Sequence, residues 1–189
     1  ASRATSLSAG VASDLPLSGR NPFVLSMVAP GVTNNVTRAS LSFRPFDNGG
    51  MDVMTINGGR TRSNEYMLDG APNSNNEGTA GNSLAFVPSP DAVQEVNVQT
   101  NTYDAQYGRT GGGVMSVTLK SGTNNLHGSG YYYMRNKALN ANLYENEVAG
   151  LPKSDIDHKQ PGFTIGGPIY IPKLYDGRDK SFFFFSYEH

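Results

Sequence analysis

Cysteine and tryptophan are both absent from the 189 residues. Without cysteine there is no disulfide framework, no thiol nucleophile and no thiolate metal site, although an oxidising compartment stays open. Charge is scarce as well. Charged residues make up 16% of the chain, against about 25% in an ordinary globular protein. The 15 Lys+Arg nearly cancel the 16 Asp+Glu. A chain so close to neutral lacks the basic footprint of a nucleic-acid binder and the polybasic cluster of a membrane-surface protein. Hydrophobic residues supply 37%, where about 45–50% is usual. No apolar run approaches the ~20 residues of a membrane helix. The opening Ala1-Ser2-Arg3-Ala4-Thr5-Ser6 has no apolar core of the signal-peptide kind. The expectation is a cytoplasmic chain or a mature, trimmed segment, of one domain or one domain with an appendage.

What is present is small and neutral polar: 22 Gly, 11 Pro and abundant Asn. It is unevenly spread. Residues 1–62 carry six Arg and three acids, residues 63–147 four bases and eight acids, and residues 148–189 five of each. Twelve of the nineteen aromatic residues fall at or after Tyr131. This shift places a compositional break inside the Gly/Asn-rich segment near Ser121–His127.

Before the break, alternation marks Gln94–Thr100, with Val96, Val98 and Thr100 on one side, and Gly113–Lys120, with Met115, Val117 and Leu119 on one side. Weaker strands are expected at Asp52–Ile56 and Asn64–Leu68, on either side of the turn-forming Asn57-Gly58-Gly59. Ser89-Pro90-Asp91 has the order of a short helix start: a cap, proline in the first turn, then an acid. Beyond the break three aromatic-rich strands are expected. His127–Arg135 holds Tyr131-Tyr132-Tyr133. Phe163–Ile171 puts Phe163, Ile165, Gly167, Ile169 and Ile171 on one face, and Ser181–His189 holds Phe182-Phe183-Phe184-Phe185. Four consecutive Phe place rings on both faces of a strand. Exposed to water this would aggregate; it fits a buried sandwich strand or the aromatic strands of a membrane β-barrel.

Catalytic and metal patterns are not found. His127, His158 and His189 are far apart and none has metal-ligand spacing. Asp155 and Asp157 form a D-x-D pair without the turn glycine and glutamate of a calcium loop, so a solvated loop is the better reading. Lys120-Ser121-Gly122 matches the K-[ST]-G element of penicillin-recognising enzymes, but no serine has a lysine three residues on. Gly108-Arg109-Thr110-Gly111-Gly112-Gly113 precedes a strand instead of opening a helix, which argues against a phosphate cradle. No enzyme activity, metal or cofactor is expected.

In order, several motifs resemble one family. They are Leu15-Pro16-Leu17-Ser18-Gly19-Arg20-Asn21, Ala29-Pro30-Gly31-Val32, Ile56-Asn57-Gly58-Gly59-Arg60, Asn64-Glu65-Tyr66-Met67-Leu68-Asp69-Gly70 and Pro88–Val96. After them come Tyr103–Arg109 with Gly111-Gly112-Gly113, Val117–Asn124, Gly166-Gly167-Pro168-Ile169 and Phe182–Glu188. Together they are similar to the plug domain and first barrel strands of a TonB-dependent outer-membrane receptor, of the Oar-like subfamily with a carboxypeptidase-regulatory-like domain before the plug. The resemblance implies an α+β plug, with short mixed strands, small helices and long loops, followed by antiparallel transmembrane β-barrel strands. The implied division is a linker at 1–14, the plug at 15–125 and the first wall strands at 126–189. It also implies residence in the cell outer membrane and a barrel of about 22 strands, of which three are expected here, so 189 residues are expected to be part of a longer protein. The implied function is gated uptake of a polar nutrient. The implied partners are the remainder of the chain's own barrel, the periplasmic energy-coupling protein TonB, a small polar extracellular ligand and outer-membrane lipid, with no nucleic acid. A coupling box is not found in Ala1–Asp14 and is expected upstream, degenerate or absent.

Three plug segments form the substrate-facing apex in relatives. By motif they correspond to Asn57–Arg62, Pro72–Ala80 and Tyr103–Arg109. The candidate apex residues are therefore Arg60, Asn73, Asn75, Asn76, Tyr107 and Arg109. Relatives often read Ile-Arg-Gly where this chain has Ile56-Asn57-Gly58, with Arg60 and Arg62 displaced onward. Taken alone, the asparagine-rich loop at 73–82 reads as a solvated turn before it reads as a ligand site. Two alternatives remain: an adhesive or structural outer-membrane protein of the same fold, and a free-standing secreted β-rich domain.

Overall fold

The computed structural model describes residues 3–8, 10–11, 20–34, 54–61, 63–76, 82–101, 107, 110–153, 155 and 157–189. The chain divides into two units, Ala1–Ser121 and Gly122–His189.

The first unit is built on a five-stranded sheet. Its strands, in chain order, are β1 (Arg3–Ser8), β2 (Val32–Asn34), β3 (Met54–Ile56), β4 (Glu65–Leu68), β5 (Ala71–Pro72), β6 (Ser74–Asn76), β7 (Asn82–Leu84), β8 (Val93–Asn101) and β9 (Val114–Leu119). The sheet order is β1-β8-β9-β4-β5, while β2–β3 and β6–β7 form separate pairs. β8 and β9 are antiparallel, with Val96 opposite Val117 and Val98 opposite Met115. β4 is parallel to β9 and sets Tyr66 against Met115. Side chains alternate between the faces of a strand, so this register gathers Val96, Val98, Met115, Val117 and Tyr66 on one side. A 3-10 helix at Pro22–Val28, capped by the Asn21 side chain accepting from the Phe23 amide, supplies buried Phe23 and Leu25. Met54, Ile56, Leu84 and Val87 complete the core. Phe23 meets Tyr66 edge-on, with centroids 5.8 Å apart and an interplanar angle of 86°. Arg20 and Asp91 form an ion pair whose side chains are only 10% and 14% exposed.

Several expectations change in detail. Residues 3–8 sit in the stretch read as a linker, yet form edge strand β1 against β8. Its one large apolar residue, Leu7, packs against the core opposite Val96. The strands on either side of Asn57-Gly58-Gly59 do not pair with each other. β3 pairs with β2, and β4 pairs with β5 and β9. The start of the Asp52–Ile56 run lies outside the described residues. The helix start at Ser89-Pro90-Asp91 becomes one 3-10 turn, Pro90–Ala92, before β8 begins.

The second unit is an antiparallel sheet of β10 (His127–Asn136), β11 (Asp157–Pro168) and β14 (Phe182–Glu188) in that order. The small hairpin β12 (Tyr170–Ile171) and β13 (Tyr175–Asp176) lies between β11 and β14. Ile169 and Ile171, expected on the face of Phe163 and Ile165, therefore fall beyond the strand, in that connection. The twelve residues of β11 extend about 40 Å at ~3.3 Å per residue, enough to cross a bilayer when tilted. The connection from β10 to β11 runs over 137–156 and carries one helix, Tyr144–Val148. Among the described residues no helix is long and apolar enough to cross a membrane.

Candidate functional site

Strand directions bring two connections to one end of the first sheet. β4 and β9 run parallel and start there; β8 runs against β9 and ends there. The β3–β4 connection and the described residues just ahead of β9, Thr110–Gly113, therefore meet at that edge. Hydrogen bonds hold the two together. The Ser63 carbonyl accepts from the amides of Gly111 and Gly112, both at 3.2 Å, and from Thr110 Oγ1 at 2.6 Å. Asn64, fully buried, donates Nδ2 to the Met54 carbonyl at 2.9 Å and accepts the Gly113 amide on Oδ1 at 3.3 Å. A Cβ on Gly113 would lie 2.5 Å from Ile56 Cδ1, so glycine there permits the close approach. Asn57 adopts a left-handed φ of 51° and its Nδ2 donates to the Thr100 carbonyl at 2.5 Å. That ties the turn after β3 to the end of β8.

The candidate apex residues differ in their surroundings. Arg60 is exposed, and its carbonyl accepts Ser63 Oγ at 2.5 Å. Asn73 is buried at 6% exposure. Its Nδ2 donates to the Phe86 carbonyl at 2.7 Å and its Oδ1 accepts the Phe86 amide at 3.1 Å. Its backbone joins Tyr66 on one side and Ala85 on the other. Asn73 thus clamps the base of the β6–β7 hairpin. Asn75 and Asn76 lie on β6, paired with Ser83 and Asn82 of β7. Tyr107 is half-buried; Arg109 lies outside the described residues.

Two residues gain roles that motif reading did not assign. Asp69 accepts the Leu119 amide on Oδ1 at 2.8 Å and donates its own amide to the Val117 carbonyl at 2.9 Å. The Leu-Asp-Gly turn thereby joins the far ends of β4 and β9. Glu65 is buried on the face of β4 away from Tyr66, and its Oε2 has no hydrogen-bond partner among the described residues. A single acid leading the apolar run Tyr66-Met67-Leu68 was the signal available for it.

The second unit is two-faced. One face carries Ser129, Tyr131, Tyr133 and Arg135 of β10, Gln160 and Thr164 of β11, and Phe182, Phe184 and Glu188 of β14, as their register requires. Ser129 and Thr164 hydroxyls are 2.8 Å apart, and Glu188 accepts from both the Tyr131 hydroxyl and the Gln160 amide. Gly162 makes room for the Tyr131 ring, which a Cβ there would meet at 2.4 Å. The opposite face carries Tyr132, Met134, Phe163, Ile165, Phe183, Phe185 and Tyr187, all exposed. Phe163 stands 5.8 Å from Phe185 and 5.9 Å from Tyr187, centroid to centroid. A polar, internally bonded face behind an open apolar aromatic one is the arrangement of a barrel wall between aqueous lumen and lipid.

Comparison with known proteins agrees. Residues 24–114 match the TonB-dependent Receptor Plug Domain family, and residues 118–189 match the Outer membrane beta barrel domain family. The chain is similar to TonB-dependent receptors over a plug segment and a barrel segment. It is 28% identical over 158 residues to the TonB-dependent transporter Oar of Myxococcus xanthus, covering 80% of this chain and 15% of that protein. Its fold is similar to the siderophore receptor PirA of Acinetobacter baumannii, with a TM-score of 0.59 at 18% identity over 88% of this chain and 22% of that one. The ferric enterobactin receptor of Pseudomonas aeruginosa gives a TM-score of 0.61 at 17% identity, over 90% and 23%. The chain thus spans less than a quarter of the length of each of these relatives. The first unit is the plug, the second is barrel wall, and the location is the outer membrane. The relatives matched are transporters and receptors.

Proposed function

We propose that this chain forms the gate and the first wall strands of an energy-coupled importer for a small polar ligand, and that it carries no catalytic step of its own. One observation supports this most: a sheet-based plug with its own core is followed in the same chain by a wall with one polar and one lipid-compatible face. In this reading the remainder of the barrel closes around the plug and the periplasmic TonB protein pulls on it. The ligand is held at the loop end by Arg60, Asn75, Asn76, Tyr107 and Arg109. Asn73 acts there as the clamp that sets the hairpin, because both ends of its amide are engaged by Phe86. Neutral amides with two flanking arginines suit a polar or anionic solute.

The test is accumulation of candidate polar nutrients by cells carrying the full receptor, with and without the coupling protein. Uptake that needs both the receptor and the coupling protein, and that falls at least tenfold in an Arg60→Ala, Arg109→Ala double variant, is the expected result. A surface phenotype such as adhesion that persists unchanged without the coupling protein would instead assign the fold a structural role.

A further inference from the structure

The connection between β11 and β14 builds a second site, distinct from the plug loops. A cavity of about 500 Å³ opens there, with Leu126, Ile169 and Phe183 as apolar lining and Asn124, Tyr170 and Arg178 as polar lining. It lies on the apolar side of the wall. Phe183 belongs to that face, and Leu126 precedes His127, which belongs to the other. A Cβ on Gly167, also on the apolar side, would meet Leu126 at 3.1 Å.

The mouth of this cavity is held in place by the chain's own hydrogen bonds. The Gly177 amide donates to the Ile169 carbonyl at 2.9 Å, Ile169 to Ser181 at 3.0 Å and Ser181 back to Gly177 at 2.8 Å. The Tyr175 and Ser181 hydroxyls are 2.8 Å apart. Both neighbouring acids are engaged. Asp176 Oδ1 accepts the Arg178 amide at 3.1 Å. Asp179 Oδ1 accepts from Asn124 Nδ2, and the Asp179 amide donates to Asn124 Oδ1 at 2.8 Å. The Arg178 guanidinium, by contrast, has no hydrogen bond or ion pair among the described residues, and it is exposed. Lys173 and Lys180 lie on the same connection. A preformed apolar slot thus ends at a fork-shaped cation whose five donors are free.

We propose that this cavity seats the headgroup and upper acyl chains of one phospholipid of the inner leaflet, with Arg178 on the phosphate. The inference rests on reading this sheet as lipid-facing wall. Of the two connections on the wall, 169–181 is the shorter and 137–156 the longer. Short turns of bacterial outer-membrane barrels lie on the periplasmic side, where the leaflet is phospholipid. Arginine matches phosphate with two parallel donors. Tyr170 has the amphipathic ring of an interface residue. The apolar lining runs through Phe183 into the lipid-facing surface, so acyl chains enter without leaving hydrocarbon.

The experiment uses the full-length receptor purified in mild detergent, with phosphatidylglycerol or phosphatidylethanolamine added and retained lipid counted by native mass spectrometry. Arg178→Ala is expected to lower retained phospholipid about fivefold, and Arg178→Lys to restore part of it. Diacylglycerol, which lacks the phosphate, is expected to bind parent and variant equally weakly. Equal phospholipid retention by parent and Arg178→Ala would overturn the proposal. So would displacement of the lipid by millimolar inorganic phosphate, which would mark a free-anion site. A spin label at Phe185→Cys in the same preparation separates the two levels of the argument. Relaxation by oxygen, with retention unchanged in Arg178→Ala, sinks only the lipid site. Relaxation by a water-soluble agent sinks the wall assignment along with it.

Discussion

The two units use apolar side chains in opposite ways. In the plug, Phe23, Met54, Tyr66, Leu84, Val96, Val98, Met115 and Val117 are at zero exposure, and polar residues crowd the loops. In the wall, Phe163, Ile165, Phe183, Phe185 and Tyr187 stand outward while Gln160 and Thr164 are among the buried residues. The same elementary rule explains both: apolar surface leaves water wherever it can. The plug meets the rule internally, by folding one sheet face under a 3-10 helix. The wall leaves its apolar face open, and hydrocarbon satisfies the rule there.

Substitutions that test this contrast range from large to small effects. Phe23→Ala removes a fully buried ring stacked edge-on against Tyr66 and is expected to cost about 4 kcal/mol. It should appear as protease sensitivity of the plug while the barrel keeps its heat-modifiable migration. Loss of barrel migration instead would show that the two units do not fold separately. Phe185→Arg introduces a charge midway along the outward face of β14, with an expected cost of about 3 kcal/mol in the bilayer. Measured by urea titration in lipid vesicles, a cost near zero would mean the face meets water and the contrast would collapse. Asn73→Ala strips two buried hydrogen bonds from the Phe86 backbone and is expected to cost about 2 kcal/mol. Hydrogen exchange should then rise at Phe86 and along β7, and unchanged protection would refute the clamp. Ser129→Ala deletes one side of a 2.8 Å hydroxyl pair on the lumen face and should cost under about 1 kcal/mol. A loss as large as that of Phe185→Arg would mean this face is dry.

The wall strands were legible from their aromatic runs, and β11 also from the alternation of Phe163 and Ile165. β8 and β9 were legible from alternation, and Val96 and Met115 sit where it put them. Other elements carry weak local signals. β1 has only Leu7 to mark a buried face, and the 3-10 helix at Pro22–Val28 has no 3.6-residue repeat to read. Ile169 and Ile171 prolonged the alternation of β11 past its end, since periodicity does not reveal that Gly177 donates to Ile169 and folds the chain back.

At the candidate ligand site the motif order singled out stretches of chain, but not the work each side chain does. Asn73, Asn75 and Asn76 look equivalent in a polar run. Only the return of Ala85 and Phe86 beside Asn73 makes it a clamp. Asp69 reads as a turn residue until β9 is placed next to β4.

What the sequence determined by itself is therefore the local contrast: a Cys-free, glycine- and asparagine-rich part with short alternating strands, then an aromatic part with longer ones. That follows from side-chain size, polarity and period, which each segment carries on its own. The tertiary structure decided the parallel pairing of β4 with β9, the joining of Ser63 and Asn64 to the residues before β9, and which face of the wall is polar. Those depend on contacts between residues tens of positions apart. Such contacts form only where many weak preferences are satisfied together.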